Sequence, residues 1–192
     1  VSATASFTAA AGAGDITLDS ENLFAGAVSL TGATVTVNDA DGIDLGTVDA
    51  DDLVVTTTAG DITDSGVVDV SATASFTAAA GAGDITLDQA NEFGGAVTLT
   101  GTAVEINDED VDGDGLNLAA VGATTLTVTT GNDGNITNSG VLDVDGAASF
   151  DAGAGNITLD QANEFGGAVT LTGTTVEIND EDVDGDGLNL AA

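Results

Sequence analysis

Residues 83–120 read GDITLDQANEFGGAVTLTGTAVEINDEDVDGDGLNLAA, and the same 38 residues return at 155–192 with two changes. Further upstream, VSATASFTAAAGAGDITLD at 1–19 is repeated letter for letter at 70–88. The period is therefore about 70 residues, which is typical of solenoids and repeat arrays. This period divides the chain into two full repeats and a partial third, at residues 1–69, 70–143 and 144–192.

Short runs of alternating apolar and polar residues fill the repeat. In AVTLTG (96–101), AVEIND (103–108) and TLTVTT (125–130), every second residue is apolar. This period of two indicates β-strands. The repeats differ in length only in Gly-, Asp- and Ala-rich sequence between such runs, as where NDADG (38–42) becomes NDEDVDGDG (107–115). Loops tolerate insertions of this kind.

Many short strands at regular spacing fit either a sandwich or barrel, or a β-solenoid. The near-identity of the tandem copies favours the solenoid. We therefore predict an all-β fold, a right-handed parallel β-helix with about three coils of roughly 24 residues in each repeat. Coils stacked at about 4.8 Å would make the chain about eight coils, or roughly 38 Å, long.

The phenylalanines fall at only two positions of the repeat. We expect both positions to fill the interior of the coils, because aromatic side chains bury a large apolar area. The alternative is an exposed face on which carbohydrate rings stack. The residues concerned are Phe7, Phe76 and Phe150 at one position, and Phe24, Phe93 and Phe165 at the other.

The charge of the chain excludes several classes of partner. The 192 residues include no Lys, Arg or His and carry a formal charge of −33, so phosphate backbones and anionic lipid surfaces would repel the protein. No apolar run approaches the roughly 20 residues of a membrane helix, so we predict no membrane insertion. Thirty-three negative charges over roughly 38 Å exceed the charge density of duplex DNA, about 0.6 per Å. Such a rod should gather counterions, and divalent cations most of all.

The inserted loop contains the pattern D-x-D-x-D-G, in which alternate carboxylates can surround a hard cation and glycine permits a sharp turn. This pattern is the first half of an EF-hand loop. The second half is missing, because the twelfth position counted from Asp110 is Val121 instead of Glu. The alternative is a solvated acidic turn. We predict that the loops bind Ca²⁺ and that the first repeat, with its shorter loop, lacks the site or binds weakly. The predicted ligands are Asp108, Asp110, Asp112, Asp114, Asp180, Asp182, Asp184 and Asp186.

Three segments carry a resemblance to a known class of proteins: DITLDQANEFGGAVTLTG, VEIND followed by GLNLAAV, and LTVTTG followed by GNITNSGVLDV. They resemble the β-strand repeats of large secreted bacterial surface proteins, the filamentous-haemagglutinin-like and autotransporter-like adhesins. This resemblance implies a right-handed β-helix, secretion, and a role as a long stalk or fibre on or outside the cell.

These observations predict a structural extracellular protein that assembles with itself, end to end or laterally. An alternative is the repeat region of an adhesin, with a distal tip that binds cell-surface or polysaccharide ligands. A further alternative is ice binding, since Thr-x-Thr triplets occur on several strands. We predict no catalytic activity, because every acidic cluster belongs to a repeat, whereas an active site usually interrupts the repetition.

Overall fold

The computed structural model describes residues 3–10, 14–79, 82–181 and 187–191, and most of these residues lie in β-strands. None of the described segments forms a helix with the length and apolarity that a membrane span requires. In chain order, the strands are β1 (Ala5–Thr8), β2 (Ile16–Asn22), β3 (Val28–Asp39), β4 (Ile43–Thr57), β5 (Ile62–Asp64), β6 (Val68–Val70), β7 (Ala74–Thr77), β8 (Ile85–Phe93), β9 (Ala96–Thr100), β10 (Ala103–Asp108), β11 (Leu116–Ala123), β12 (Thr125–Thr130), β13 (Ile136–Asn138), β14 (Leu142–Val144), β15 (Ala148–Asp151), β16 (Ile157–Phe165), β17 (Ala168–Thr172), β18 (Val176–Asp180) and β19 (Asn189–Leu190).

The strands pair in parallel, and each strand between the two ends of the described solenoid pairs with strands one coil before and one coil after it. Paired residues are 17 to 23 positions apart in the sequence, as shown by Val28 with Leu45 and by Ala5 with Val28. The predicted all-β parallel solenoid is therefore confirmed, with about eight turns. A turn is slightly shorter than the predicted 24 residues.

Two ladders of stacked strands run along the solenoid. The first ladder contains β1, the start of β3, the start of β4, and then β5 with β6, β8, β10, β12, β15, β17 and β19. The second ladder contains β2, the ends of β3 and β4, and then β7, β9, β11, β13 with β14, β16 and β18.

Equivalent strands of successive repeats lie on different ladders. The ASFT strand β1 belongs to the first ladder, its copy β7 to the second, and the related β15 to the first again. A repeat therefore occupies about three and a half coils. Consequently, a loop that leads from the second ladder to the first in one repeat leads from the first ladder to the second in the next repeat.

The core is a column of alternating inward side chains. In β10, for example, Val104, Ile106 and Asp108 are buried while the residues between them are more exposed. Of the phenylalanines, Phe76, Phe93, Phe150 and Phe165 are fully buried, and the rings pair edge to face with centroids 5.9–6.1 Å apart. The predicted interior position of the aromatic residues is confirmed for these four and for Phe24, which is also buried, while Phe7 is partly buried against the same core.

Polar side chains also lie inside the solenoid, where the strand register is irregular. Asn91 is fully buried beside a register shift in β8; its Oδ1 accepts a hydrogen bond from Val68 N (2.8 Å). Asn163 is buried in the same way in β16, and its Oδ1 accepts from Leu142 N (3.0 Å). These amides satisfy backbone groups that the interrupted ladder leaves without a partner.

Candidate metal centre

The acidic loop of the second repeat, residues 109–115, joins β10 of the first ladder to β11 of the second. Three residues of the loop have positive φ: Asp110 (51°), Gly113 (84°) and Gly115 (73°). Glycine adopts this conformation without strain, which explains the two glycines of the motif. Gly115 N also donates to Asp110 Oδ1 (2.7 Å), closing the loop on itself.

Glu92 lies near the end of β8, in the preceding coil, and binds the loop through two hydrogen bonds. Its Oε2 accepts a hydrogen bond from Val111 N (2.8 Å), and its Oε1 accepts one from Asp112 N (3.3 Å). A carboxylate that accepts two backbone N–H groups fixes the position of both. The site is thus built from two successive coils.

Four carboxylates converge here. One oxygen atom from each of Glu92, Asp110, Asp112 and Asp114 lies within 4.8 Å of the other three. Oxygen ligands lie about 2.3–2.6 Å from Ca²⁺, so ligands on opposite sides of the ion are about 5 Å apart. Asp110 is buried, Glu92 is half-buried, and the other two are exposed. The cluster can therefore accommodate a hard metal ion with open positions for water.

The electrostatics of the cluster show the mutual repulsion of its members. Burial, a side-chain hydrogen bond with Asp112 and the negative charges of Asp112 and Asp110 raise the pKa of Asp114 to about 6. Burial also raises the pKa of Glu92. Side-chain hydrogen bonds from Asp114 and from Glu92 lower the pKa of the Asp112 carboxyl. Protons and a metal ion would therefore compete for the same oxygen atoms.

A column of carboxylates leads up to the cluster. Asp49, Asp69 and Glu92 are directly stacked partners in three successive coils of the first ladder. Burial and the charges of Asp49 and Asp112 raise the pKa of Asp69. Like charges in directly opposed positions destabilise a sheet, and no Lys, Arg or His exists in the chain to offset them. Only protons or counterions from solution can offset this repulsion.

The structure brings together only some of the predicted ligands. Asp110, Asp112 and Asp114 belong to the cluster, whereas Asp108 is fully buried beside it and outside the group of four. Asp108 Oδ1 accepts a hydrogen bond from Phe93 N (3.2 Å), and burial raises the pKa of Asp108 to about 7. In the third repeat, Asp180 accepts from Phe165 N in the same way (3.3 Å). The remaining predicted ligands, Asp182, Asp184 and Asp186, lie outside the described residues.

The motif does not include Glu92, although the repeats contain a signal for it. The position that Glu92 occupies is Leu23 in the first repeat and Glu164 in the third. Glutamate therefore accompanies the long acidic loop, and leucine accompanies the short one. Comparison of the three copies identifies the residue that the D-x-D-x-D-G pattern omits.

The outward face of the first ladder bears on ice binding. One column of directly stacked residues reads Thr63, Thr86, Glu105, Thr127 and Ser149. Glu105 and Ser149 interrupt the threonines, so this face is not an unbroken threonine array.

A family model described as "Repeats of unknown function (DUF5649)" matches residues 1–31, 32–100 and 101–172. The chain belongs to this family. The matched segments start at a different point of the repeat from the boundaries predicted above. No curated protein and no solved structure matches the chain.

Proposed function

We propose that this chain forms part of a structural rod, a fibre, stalk or sheath that is secreted and acts at the cell surface or outside the cell. The observation that supports this function best is the pair of parallel strand ladders, which continue from coil to coil with equivalent interior residues in every repeat. Repetition of this kind lengthens a rod without changing its cross-section. The resemblance to adhesin repeats supports the same role.

The second part of the proposal is that Ca²⁺ stabilises the rod at the acidic loops. Its ligands are Glu92, Asp110, Asp112 and Asp114. Calcium suits this site better than magnesium, because the ligands are all oxygens and most of them come from a loop, a flexible setting that does not impose the strict octahedral geometry that magnesium requires. A bound ion would join two coils, since Glu92 and the loop belong to successive turns.

Under this proposal the carboxylates serve stability and assembly, and the protein is not an enzyme. Cations shared between acidic faces would let copies of the chain associate side by side, and strand pairing would let them associate end to end. The rod has no affinity for nucleic acid or anionic membranes, because its charge repels both.

Thermal unfolding and electron microscopy in calcium buffer and in chelator test both parts. We expect rods in both buffers at moderate salt, with a higher unfolding temperature in calcium. The double variant Asp112→Asn with Asp114→Asn should remain folded and lose the share of the calcium-dependent increase that comes from the loop of the second repeat, whereas Asp19→Asn with Asp160→Asn, an equal change of charge outside the cluster, should retain the whole increase. Particles no longer than one chain, about 38 Å, would refute assembly into a rod. An equal calcium effect in both double variants would refute the metal site alone.

A further inference from the structure

The first repeat has an open groove where the second repeat has its acidic cluster. The groove has a volume of about 760 Å³ and lies where three successive coils pass from the second ladder to the first. It is lined by both apolar and carboxylate side chains, among them Leu23, Phe24, Ile43, Asp41, Asp44 and Asp61.

The sequence difference between the repeats explains the groove. In the second repeat, the Asp110 side chain lies against Gly134, which corresponds to Gly60 at the groove. The first repeat has four fewer residues in this loop, and Leu23 replaces the glutamate that anchors the longer loop. The space that carboxylates occupy in the second repeat is therefore open to solvent in the first.

The groove combines an apolar wall with negative charges that have no cation within the chain. Leu23 is 60% exposed, which is unusual for a leucine in this solenoid. Asp44 Oδ2 accepts a hydrogen bond from Ser65 Oγ (3.0 Å), while its Oδ1 is buried without a hydrogen-bond partner. Because the sequence contains no Lys, Arg or His, no ion pair inside the chain neutralises Asp41, Asp44 or Asp61.

We propose that this groove binds a lysine or arginine side chain of a partner protein. Such a side chain has an apolar stem and a cationic end, which complement the two kinds of lining. The stem would lie on the exposed side chain of Leu23, next to the largely buried Phe24, and the cationic end would lie among Asp41, Asp44 and Asp61. The second repeat lacks this site, because its own acidic loop fills the equivalent space.

Methyl-detected NMR titration tests the proposal with N-acetyl-lysine methylamide, and with the norleucine analogue as the uncharged control. The titrations use the whole chain in 150 mM NaCl with excess calcium, so that diffuse attraction is screened and the acidic loops are occupied. We expect saturable shifts of the Leu23 and Ile43 methyl groups with the lysine probe and little change with the norleucine probe. Equal responses to both probes, or shifts spread evenly over the acidic surface, would overturn the proposal.

Two double variants, each of which removes two negative charges, make the test specific. Asp44→Asn with Asp61→Asn should weaken lysine binding by roughly three- to tenfold, as expected for the loss of two ion pairs. Asp19→Asn with Asp160→Asn removes the same charge from exposed positions outside the groove and should leave the affinity unchanged. Asparagine at position 61 keeps an oxygen that can accept from Asp84 N (2.9 Å), so the fold should persist. Similar losses in both double variants would show that only net charge matters and would refute the groove as a site.

Discussion

Asn91 Nδ2 donates a hydrogen bond to Asp64 Oδ2 (2.8 Å) inside the solenoid, and the two residues come from successive coils. The same carboxylate accepts from Asp88 N (3.0 Å) and Gln89 N (3.4 Å). The next repeat has an uncharged version of this pair, in which Asn138 Nδ2 donates to Asn163 Oδ1 (2.7 Å). The chain thus has a pair with a carboxylate and an uncharged pair at equivalent buried positions of two repeats.

Asp64→Asn should therefore be tolerated and should alter the pH dependence of stability. Burial raises the pKa of Asp64 above its ordinary value of 3.8. The stability that this group contributes is fully present below its pKa in the unfolded chain and is lost as the pH rises through the raised pKa of the folded state. Near pH 4, the free energy of unfolding of the variant should lie within about 1 kcal/mol of the wild-type value. As the pH rises, it should increase relative to the wild-type value.

Urea unfolding between pH 4 and pH 8, in the presence of a chelator, measures this effect. Asp19→Asn is the control, because that carboxyl is exposed. A constant difference between Asp64→Asn and wild type across the pH range would contradict the assignment of a raised pKa to this group.

Asp108 and Asp112 should respond differently to the same substitution. Asp108→Asn preserves an oxygen for Phe93 N and should leave the calcium affinity of the second repeat's loop near that of wild type, whereas Asp112→Asn should lower the affinity of this loop about tenfold. Asp108→Ala should instead lower the free energy of unfolding by about 1–3 kcal/mol, because it leaves a buried N–H without an acceptor.

Isothermal titration calorimetry and urea unfolding of the three variants separate a ligand from a structural residue. A loss of calcium affinity in Asp108→Asn as large as that in Asp112→Asn would place Asp108 among the ligands, as the sequence motif suggests.

The strands can be predicted from the sequence with little error. The runs at 96–101, 103–108 and 125–130 correspond to β9, β10 and β12. Their boundaries follow from the period of two and the flanking glycines, which are local properties. The alternation that buries Val104 and Ile106 also buries Asp108. Asp108 therefore belongs to the strand pattern, although the acidic motif places it among the predicted loop ligands.

The stacking of the coils is harder to predict, because it depends on where the chain turns. The fifteen-residue strand β4 passes from the first ladder to the second without a break, so no interruption of the strand marks that corner. The alternation of repeats between ladders follows from such corners. Glu92 joins the loop only through this stacking, which brings residues from different coils together.

Two glycines should differ sharply in their tolerance of alanine. A methyl group at Gly140 would overlap the carbonyl oxygen of Ala119 in the preceding coil, whereas no atom lies within 4 Å of the equivalent position at Gly122. Gly140→Ala should therefore lower the free energy of unfolding by about 3 kcal/mol, because the backbones must move apart. Gly122→Ala should be neutral or stabilise by about 0.5 kcal/mol, because alanine restricts the unfolded chain and meets no obstacle. Urea unfolding of both variants measures the difference. Equal stabilities would contradict the close approach of successive coils at Gly140.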